Sequence, residues 1–305
     1  MLYEKGIEKA NRKMKKSLKL QRSESFYIRD GWIEKVFYAY SNGQRNAFSS
    51  KQGTRILGIG SNMVKSLRYW VVACQLVSSF AKDSFILSRK GKLLLENDPY
   101  MESIFSWGLL HYWLVTNEDS APVFYSIFNN IYINSINKKE TSDYLFELFK
   151  EQGFDNSNLL SIQKDVSTFI SSYVFDDEDD NRNPEENLSC PLSKLKLIKK
   201  INRDTYIKEP VAASLVDYRL LFICLRERYP QKTFNIDDLF VDNCSPVLCF
   251  NMERSLFLSL LYEMKKQDLI DMNGTAGLNV VYLRSVASDD DLFKDYLKEK
   301  GILQI

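Results

Sequence analysis

Apolar positions along this chain recur mostly at three- and four-residue spacing, which predicts helices, with short alternating stretches that predict strands. The segment from Arg55 to Leu95 carries the most specific order. It predicts a short helix ending at Leu57, a corner at Gly58-Ile59-Gly60 and a second helix starting at Ser61. A strand pair from Val77 to Leu87 follows, turning at Ala81-Lys82-Asp83, and then a helix from Arg89 to Glu96 capped by Ser88. That order is a helix-turn-helix with a wing. Gly58 and Gly60 are expected to take the positive φ angles of the corner, and Ser50 and Ser61 to cap the helices they precede. In the second helix Met63, Leu67, Trp70, Val71 and Cys74 form one apolar stripe. Lys65, Arg68 and Val72 centre the opposite face, with Ser61, Asn62 and Tyr69 beside them. Upstream, Ser25 to Tyr40 begins as a short strand and becomes the first helix of the unit, burying Trp32, Ile33, Val36, Phe37 and Tyr40.

The aromatic run Pro99 to Thr116 predicts a buried helix, followed by helices over Val123 to Ile133, Lys139 to Glu151 and Leu159 to Phe175. Seven acids against one Arg between Asp176 and Glu186, with Pro184 among them, read as a linker. An EF-hand reading fails there, because the required Gly and Glu positions are not filled. Beyond the linker, residues 190 to 207 predict a short helix and a strand. Helices over Val211 to Tyr229, Phe234 to Phe240 and Glu253 to Gln267 follow, then strands over Leu269 to Met272 and Asn279 to Leu283. The last of those three helices carries Leu256, Leu260, Leu261 and Met264 on one face, and a final amphipathic helix is expected within Asp289 to Ile305. The expected protein is mainly α, with two winged-helix-like units flanking a helical middle. Its parts are a basic leader (1–24), an N-terminal winged-helix domain (25–117), the middle (118–175), the acidic linker (176–189) and a C-terminal winged-helix-like domain (190–305).

Composition changes this picture in a few places. Net charge is +1, so nucleic-acid binding must come from local patches. One such patch is the leader, where Lys5, Lys9, Arg12, Lys13, Lys15, Lys16, Lys19 and Arg22 face only Glu4 and Glu8. Five cysteines without paired CxxC spacing fit a reducing cytoplasm, and no apolar run is long enough for a membrane span. Phosphate-loop, HExxH and GxSxG motifs are absent from the sequence, and its single histidine, His111, lies in an apolar run and reads as a core residue. Cys244 and Cys249 lack partner ligands at metal spacing and read as structural thiols. The expectation is a non-catalytic protein without metal or cofactor.

Several blocks together resemble one family: SFYIRDGWIEK (25–35), LGIGSNMVKSLRYW (57–70), FILSRKGKLLLENDPYME (85–102), LLHYWL (109–114), CPLSKLKLI (190–198) and GTAGLNVVYL (274–283). They are similar to the bacterial domain-of-unknown-function family four thousand and seven. The resemblance carries no activity and no catalytic residue. It implies genomic company with genes similar to phosphoadenosine-phosphosulfate reductase and cysteine desulfurase, as in DNA phosphorothioation and phage-defence clusters.

The functional expectation is therefore a DNA-binding accessory subunit of a modification-type defence system, acting on double-stranded DNA beside a sulfurtransferase- or reductase-like partner. Ser61, Asn62, Lys65, Arg68 and Tyr69 would enter or border the major groove, and Arg89, Lys90 and Lys92 would hold the backbone. The alternatives are a protein-protein scaffold, including a homodimer, and a repressor of its own gene cluster.

Overall fold

A computed structural model describes residues 17–81, 84–131, 134–154, 156–175, 189–275, 278–284 and 287–302. Most of the basic leader, the acidic run 176–188 and the wing turn at Lys82-Asp83 lie outside the described residues. About half of the chain is helical and the described strands form three small sheets, in keeping with the mainly helical class. The first half contains α1 (Trp32–Ser41), α2 (Gly53–Leu57), α3 (Ser61–Ala73), β1 (Val77–Ala81), β2 (Ser84–Leu87) and α4 (Arg89–Asn97). Next come α5 (Ile104–Val115), α6 (Pro122–Asn129), β3 (Ser135–Asn137), α7 (Lys138–Glu151), α8 (Leu159–Tyr173) and β4 (Val174–Phe175). The second half contains β5 (Ile198–Lys200), β6 (Thr205–Lys208), α9 (Tyr218–Arg228), β7 (Thr233–Asn235) and α10 (Pro246–Cys249). The chain closes with α11 (Arg254–Lys266), β8 (Ile270–Thr275), β9 (Leu278–Leu283) and α12 (Asp289–Glu299).

The central element is α5, where every residue from Phe105 to Val115 is buried. A helix apolar all round must be surrounded, and α6, α9 and a turn of 3-10 helix over Pro191–Leu195 supply most of the cover. Gly108 permits the closest approach: a Cβ there would stand 2.4 Å from Leu220 Cδ1 of α9. Buried Asp98 organises the start of α5, accepting from the Glu102 and Ser103 amides at 3.0 and 2.9 Å and from the Ser106 hydroxyl at 2.5 Å. His111 is a core residue, as its apolar run predicts. Its Nε2 lies 2.8 Å from the Cys249 carbonyl and its Nδ1 2.7 Å from the Tyr173 hydroxyl. A carbonyl only accepts, so Nε2 carries the proton and Nδ1 accepts from the phenol. Burial pushes this imidazole down to about 4, which leaves it neutral. The five cysteines are unbridged, and Cys249 is buried.

The order α1–α2–α3–β1–β2 reproduces the predicted three helices and hairpin, with β1 and β2 antiparallel. Local details differ from expectation. Gly58 is left-handed (φ 63°), but Gly60 has φ −62° and ψ 156°, ordinary extended backbone. Gly60 is itself the N-cap of α3 and Ser61 the first helical residue, so the Ser61 hydroxyl caps nothing. Gln52 rather than Ser50 precedes α2; its amide is met by Ser49 Oγ at 3.2 Å. Ser25 to Ile28 forms no strand. Its backbone is used instead by α3, whose Trp70 Nε1 donates to the Phe26 carbonyl at 3.0 Å.

The largest departure is a four-stranded sheet in the order β3-β6-β5-β4, joining strands on both sides of the acidic run. Between the expected helices, Ser135–Asn137 forms strand β3, paired antiparallel with β6, and the end of the helix expected to Phe175 is strand β4, parallel to β5. Two to four residues per strand are too few to show a period. Similarly, Phe234 to Phe240 divides into β7 and a turn of 3-10 helix (Asp238–Phe240), and the helix expected from Val211 begins only at Tyr218. There Asp217 caps α9 by accepting from the Arg219 amide at 2.9 Å. Finally α12 folds back onto the first half, with Phe293 and Tyr296 each 4.6 Å from the Phe105 ring.

Candidate nucleic-acid interface

Helix α3 is amphipathic in the sense its sequence predicts. Val64, Leu67, Trp70 and Val71 are buried, while Ser61, Asn62, Lys65 and Arg68 are exposed. Lys65 Nζ donates to Asn62 Oδ1 at 3.4 Å, and the Arg68 guanidinium stacks over the Phe80 ring of β1 at 4.3 Å. That stacking ties the helix face to the hairpin and leaves the cation at the surface. Tyr69 is half-buried, with its ring 5.0 Å from Trp70. Burial, then the Asp165 carboxylate and the Cys74 thiol, push its phenol up.

The structure adds two cations to this face. Lys19 and Arg22 join Lys65, Arg68 and Tyr69 around a concavity of about 340 Å³ in which Glu24 is the single acid. They are held there by a strap, residues 17 to 28, laid over α3 and α8. The Leu18 amide donates to Asn156 Oδ1 at 3.1 Å, the Gln21 amide to Asp165 Oδ2 at 2.8 Å, and Leu18 itself is buried. Four cations from two separate elements around one acid form an anion-attracting surface; the helix supplies two, and the strap doubles them. Burial raises the Asp165 carboxyl to about 6, with the Gln21 N–H pulling the other way. Both cations belong to the basic leader, which was the available signal. Their convergence on α3 depends on a contact between residues more than 130 positions apart, such as Leu18 with Asn156.

The second predicted group is placed apart from the first. Arg89, Lys90 and Lys92 lie on α4, whose N-cap Ser88 accepts from the Gly91 amide at 3.1 Å as predicted. They face acids of the second half. Arg89 pairs with Asp289 at 3.0 Å, and Lys90 pairs with Glu227 while also donating to Gln75 Oε1 at 2.7 Å. Glu227 in turn accepts from Trp113 Nε1 at 3.0 Å. Arg89 stays largely exposed, its side chain 85% accessible, whereas the Lys90 side chain is only 21% accessible and taken up within the fold. Lys92 is exposed beside Glu96, Asp289 and Asp290.

Among the described residues, no group of three or more His, Cys, Asp or Glu side chains is arranged to hold a metal ion, and no helix is long and apolar enough to cross a membrane. No curated protein matches the sequence. Two solved structures share the fold. One is described as a magnesium ion-bound SspB crystal structure, 21% identical over 92% of this chain and 87% of that one, with a TM-score of 0.78. The other is described as an SspB crystal structure, 22% identical over 93% of this chain and 89% of that one, with a TM-score of 0.76. The family blocks read from the sequence run through the same elements, from the strap and α1 to β9, and residues 20–300 match the family described as Protein of unknown function (DUF4007), to which this chain belongs.

Proposed function

We propose that this chain is a DNA-binding subunit of a DNA-modification system of the phosphorothioation type, and that its α3 face is the contact surface. The observation that carries the reading is the concavity where Lys19, Arg22, Lys65 and Arg68 converge with one acid between them. In this reading α1 to β2 act as a winged helix. Ser61 and Asn62, exposed on the first turn of α3, meet base edges, and the four cations grip phosphates on either side. Arg89, Lys90 and Lys92, set apart from α3 against acids of the second half, are left out of the contact set. The gene clusters that the resemblance implies, and the structural neighbours described as SspB, support the modification context. The chemistry is assigned to a sulfurtransferase- or reductase-like partner, and this chain is proposed to bind rather than react.

The test is fluorescence anisotropy of duplex DNA, plain and phosphorothioated, at two salt concentrations. Micromolar or tighter binding that weakens steeply with salt is expected. A parallel incubation with supercoiled plasmid and magnesium tests the non-catalytic part, since the magnesium-bound structural neighbour makes that ion the relevant one. Nicked plasmid would overturn it. A second reading, a protein-docking scaffold, is favoured by α11, which presents Leu258 and Tyr262 one turn apart and 39% and 59% exposed. Absence of DNA binding at low salt, with a dimer in light scattering lost on Tyr262→Lys, would select it.

A further inference from the structure

Lys208 is an unusual lysine. It is 8% exposed, and among the described residues no carboxylate pairs with it. Its backbone is fixed, because the Lys208 amide donates to the Asn134 carbonyl at 2.8 Å and β6 is paired on both sides. The side chain reaches to the end of α6, where the ammonium donates to the Ile131 carbonyl. That placement sets a cation at the negative end of a helix, which accounts for part of its tolerance there. An ammonium has three donors, and this one spends a single donor on a described acceptor. Lys208 lines a cleft of about 230 Å³ whose walls combine Phe240, Val247, Leu248 and Met252 with Asn134 and Asn251. Burial pushes the amine down to about 8, so it remains mainly cationic near neutral pH.

We propose that this cleft is a binding site for a small organic acid, whose carboxylate pairs with the Lys208 ammonium and whose apolar body lies against Phe240, Val247 and Met252. The single cation of the lining matches one negative charge. A dianionic phosphate would bring a second charge with no described cation to meet it, at a cost that apolar surroundings make large. The volume is below that of pockets for drug-sized ligands, which selects a short acid. The proposal stands independently of DNA binding, since none of these residues belongs to the α3 face.

Isothermal titration of the full chain tests it, with hexanoate, its neutral isostere hexanamide and inorganic phosphate in a carboxylate-free buffer. Hexanoate is expected to bind once per chain, at least about tenfold tighter than hexanamide, as a charge-assisted hydrogen bond requires. Lys208→Met should abolish that difference. Leu248→Glu, which places a carboxylate inside the cleft without touching the lysine, should block hexanoate, and it carries the test if the methionine variant fails to fold. Equal binding of acid and amide, tighter binding of phosphate, unchanged binding in either variant, or no hexanoate binding in the millimolar range would each overturn the proposal.

Discussion

Gly91 lies in the first turn of α4, where a reading of the sequence would call glycine a weakness: alanine in its place should gain about 1 kcal/mol of helix propensity. The tertiary structure reverses the sign. A Cβ on Gly91 would stand 2.2 Å from the Leu76 carbonyl oxygen and 3.2 Å from Leu87 Cδ2. Both sides of the closer contact are backbone, so no flexible tip can turn away, and α4 must retreat from the segment that leaves α3. That segment is held tightly: the Ser88 amide donates to the Leu76 carbonyl at 2.9 Å, and the Ser88 hydroxyl donates to the Gln75 carbonyl at 2.6 Å. Overpacking costs about 1–3 kcal/mol and the strained hydrogen bond about 1. Set against the propensity gain, Gly91→Ala should destabilise by about 2 kcal/mol. Urea denaturation followed by tryptophan fluorescence reads this as a lower midpoint at unchanged slope, since Trp70 and Trp113 are buried. The control is Gly60→Ala, where φ is −62° and the nearest atom to a Cβ, Met63 Sδ, lies 3.9 Å away. It should cost no more than about 1 kcal/mol, the loss expected when alanine replaces glycine at an N-cap, and so less than Gly91→Ala. A Gly91→Ala protein as stable as the parent would refute the reasoning.

Three further predictions rest on other parts of the structure. If strap and helix grip phosphates together, Arg22→Ala and Lys65→Ala should each lower the salt slope of DNA binding by about one unit and weaken all sequences alike; an unchanged slope for Arg22→Ala would remove the strap from the contact surface. Burial holds the folded pKa of His111 near 4 against an ordinary 6.5, so the unfolded chain takes up the proton first as pH falls. Stability is therefore full above pH 6.5 and lost toward pH 4, by on the order of 3 kcal/mol for this group; His111→Gln should flatten urea midpoints compared at pH 7 and 5, and an unaltered pH slope would count against the assignment. Asp165 works in the opposite sense, because its folded pKa of about 6 exceeds the ordinary 3.8. Its contribution is present below pH 3.8 and lost as pH rises through 6, so Asp165→Asn, which keeps an acceptor for the Gln21 amide, should raise stability at pH 8 by on the order of 1 kcal/mol in thermal melts; a lower Tm would refute this.

Much of the candidate surface was legible because it depends on one helix. Periodicity alone turns Lys65 and Arg68 to solvent and Leu67, Trp70 and Val71 inward, and Ser88 announces the start of α4. Other residues were misjudged where local chemistry allows two outcomes. Tyr69 lies at the edge of the α3 stripe, and only packing decides that it is half-buried rather than fully exposed. Arg89 and Lys90 look like a free basic cluster until Glu227 and Asp289, more than 130 positions away, are brought beside them. Gly60 looked like a left-handed position because glycine permits one; it is used for an extended cap instead.

By itself the sequence determined the helices long enough to display a period, the β1–β2 hairpin, the burial of His111 and the family of the chain. These are consequences of spacing between neighbours. Tertiary structure alone decided the four-stranded sheet across the acidic run, the strap that adds Lys19 and Arg22 to α3, the pairing of α4 with α12 and the solitary burial of Lys208. Each of these joins segments far apart in the chain, through strands too short to show a period or through single hydrogen bonds. Such contacts become favourable only after the core around α5 has brought their partners together, so no local pattern records them.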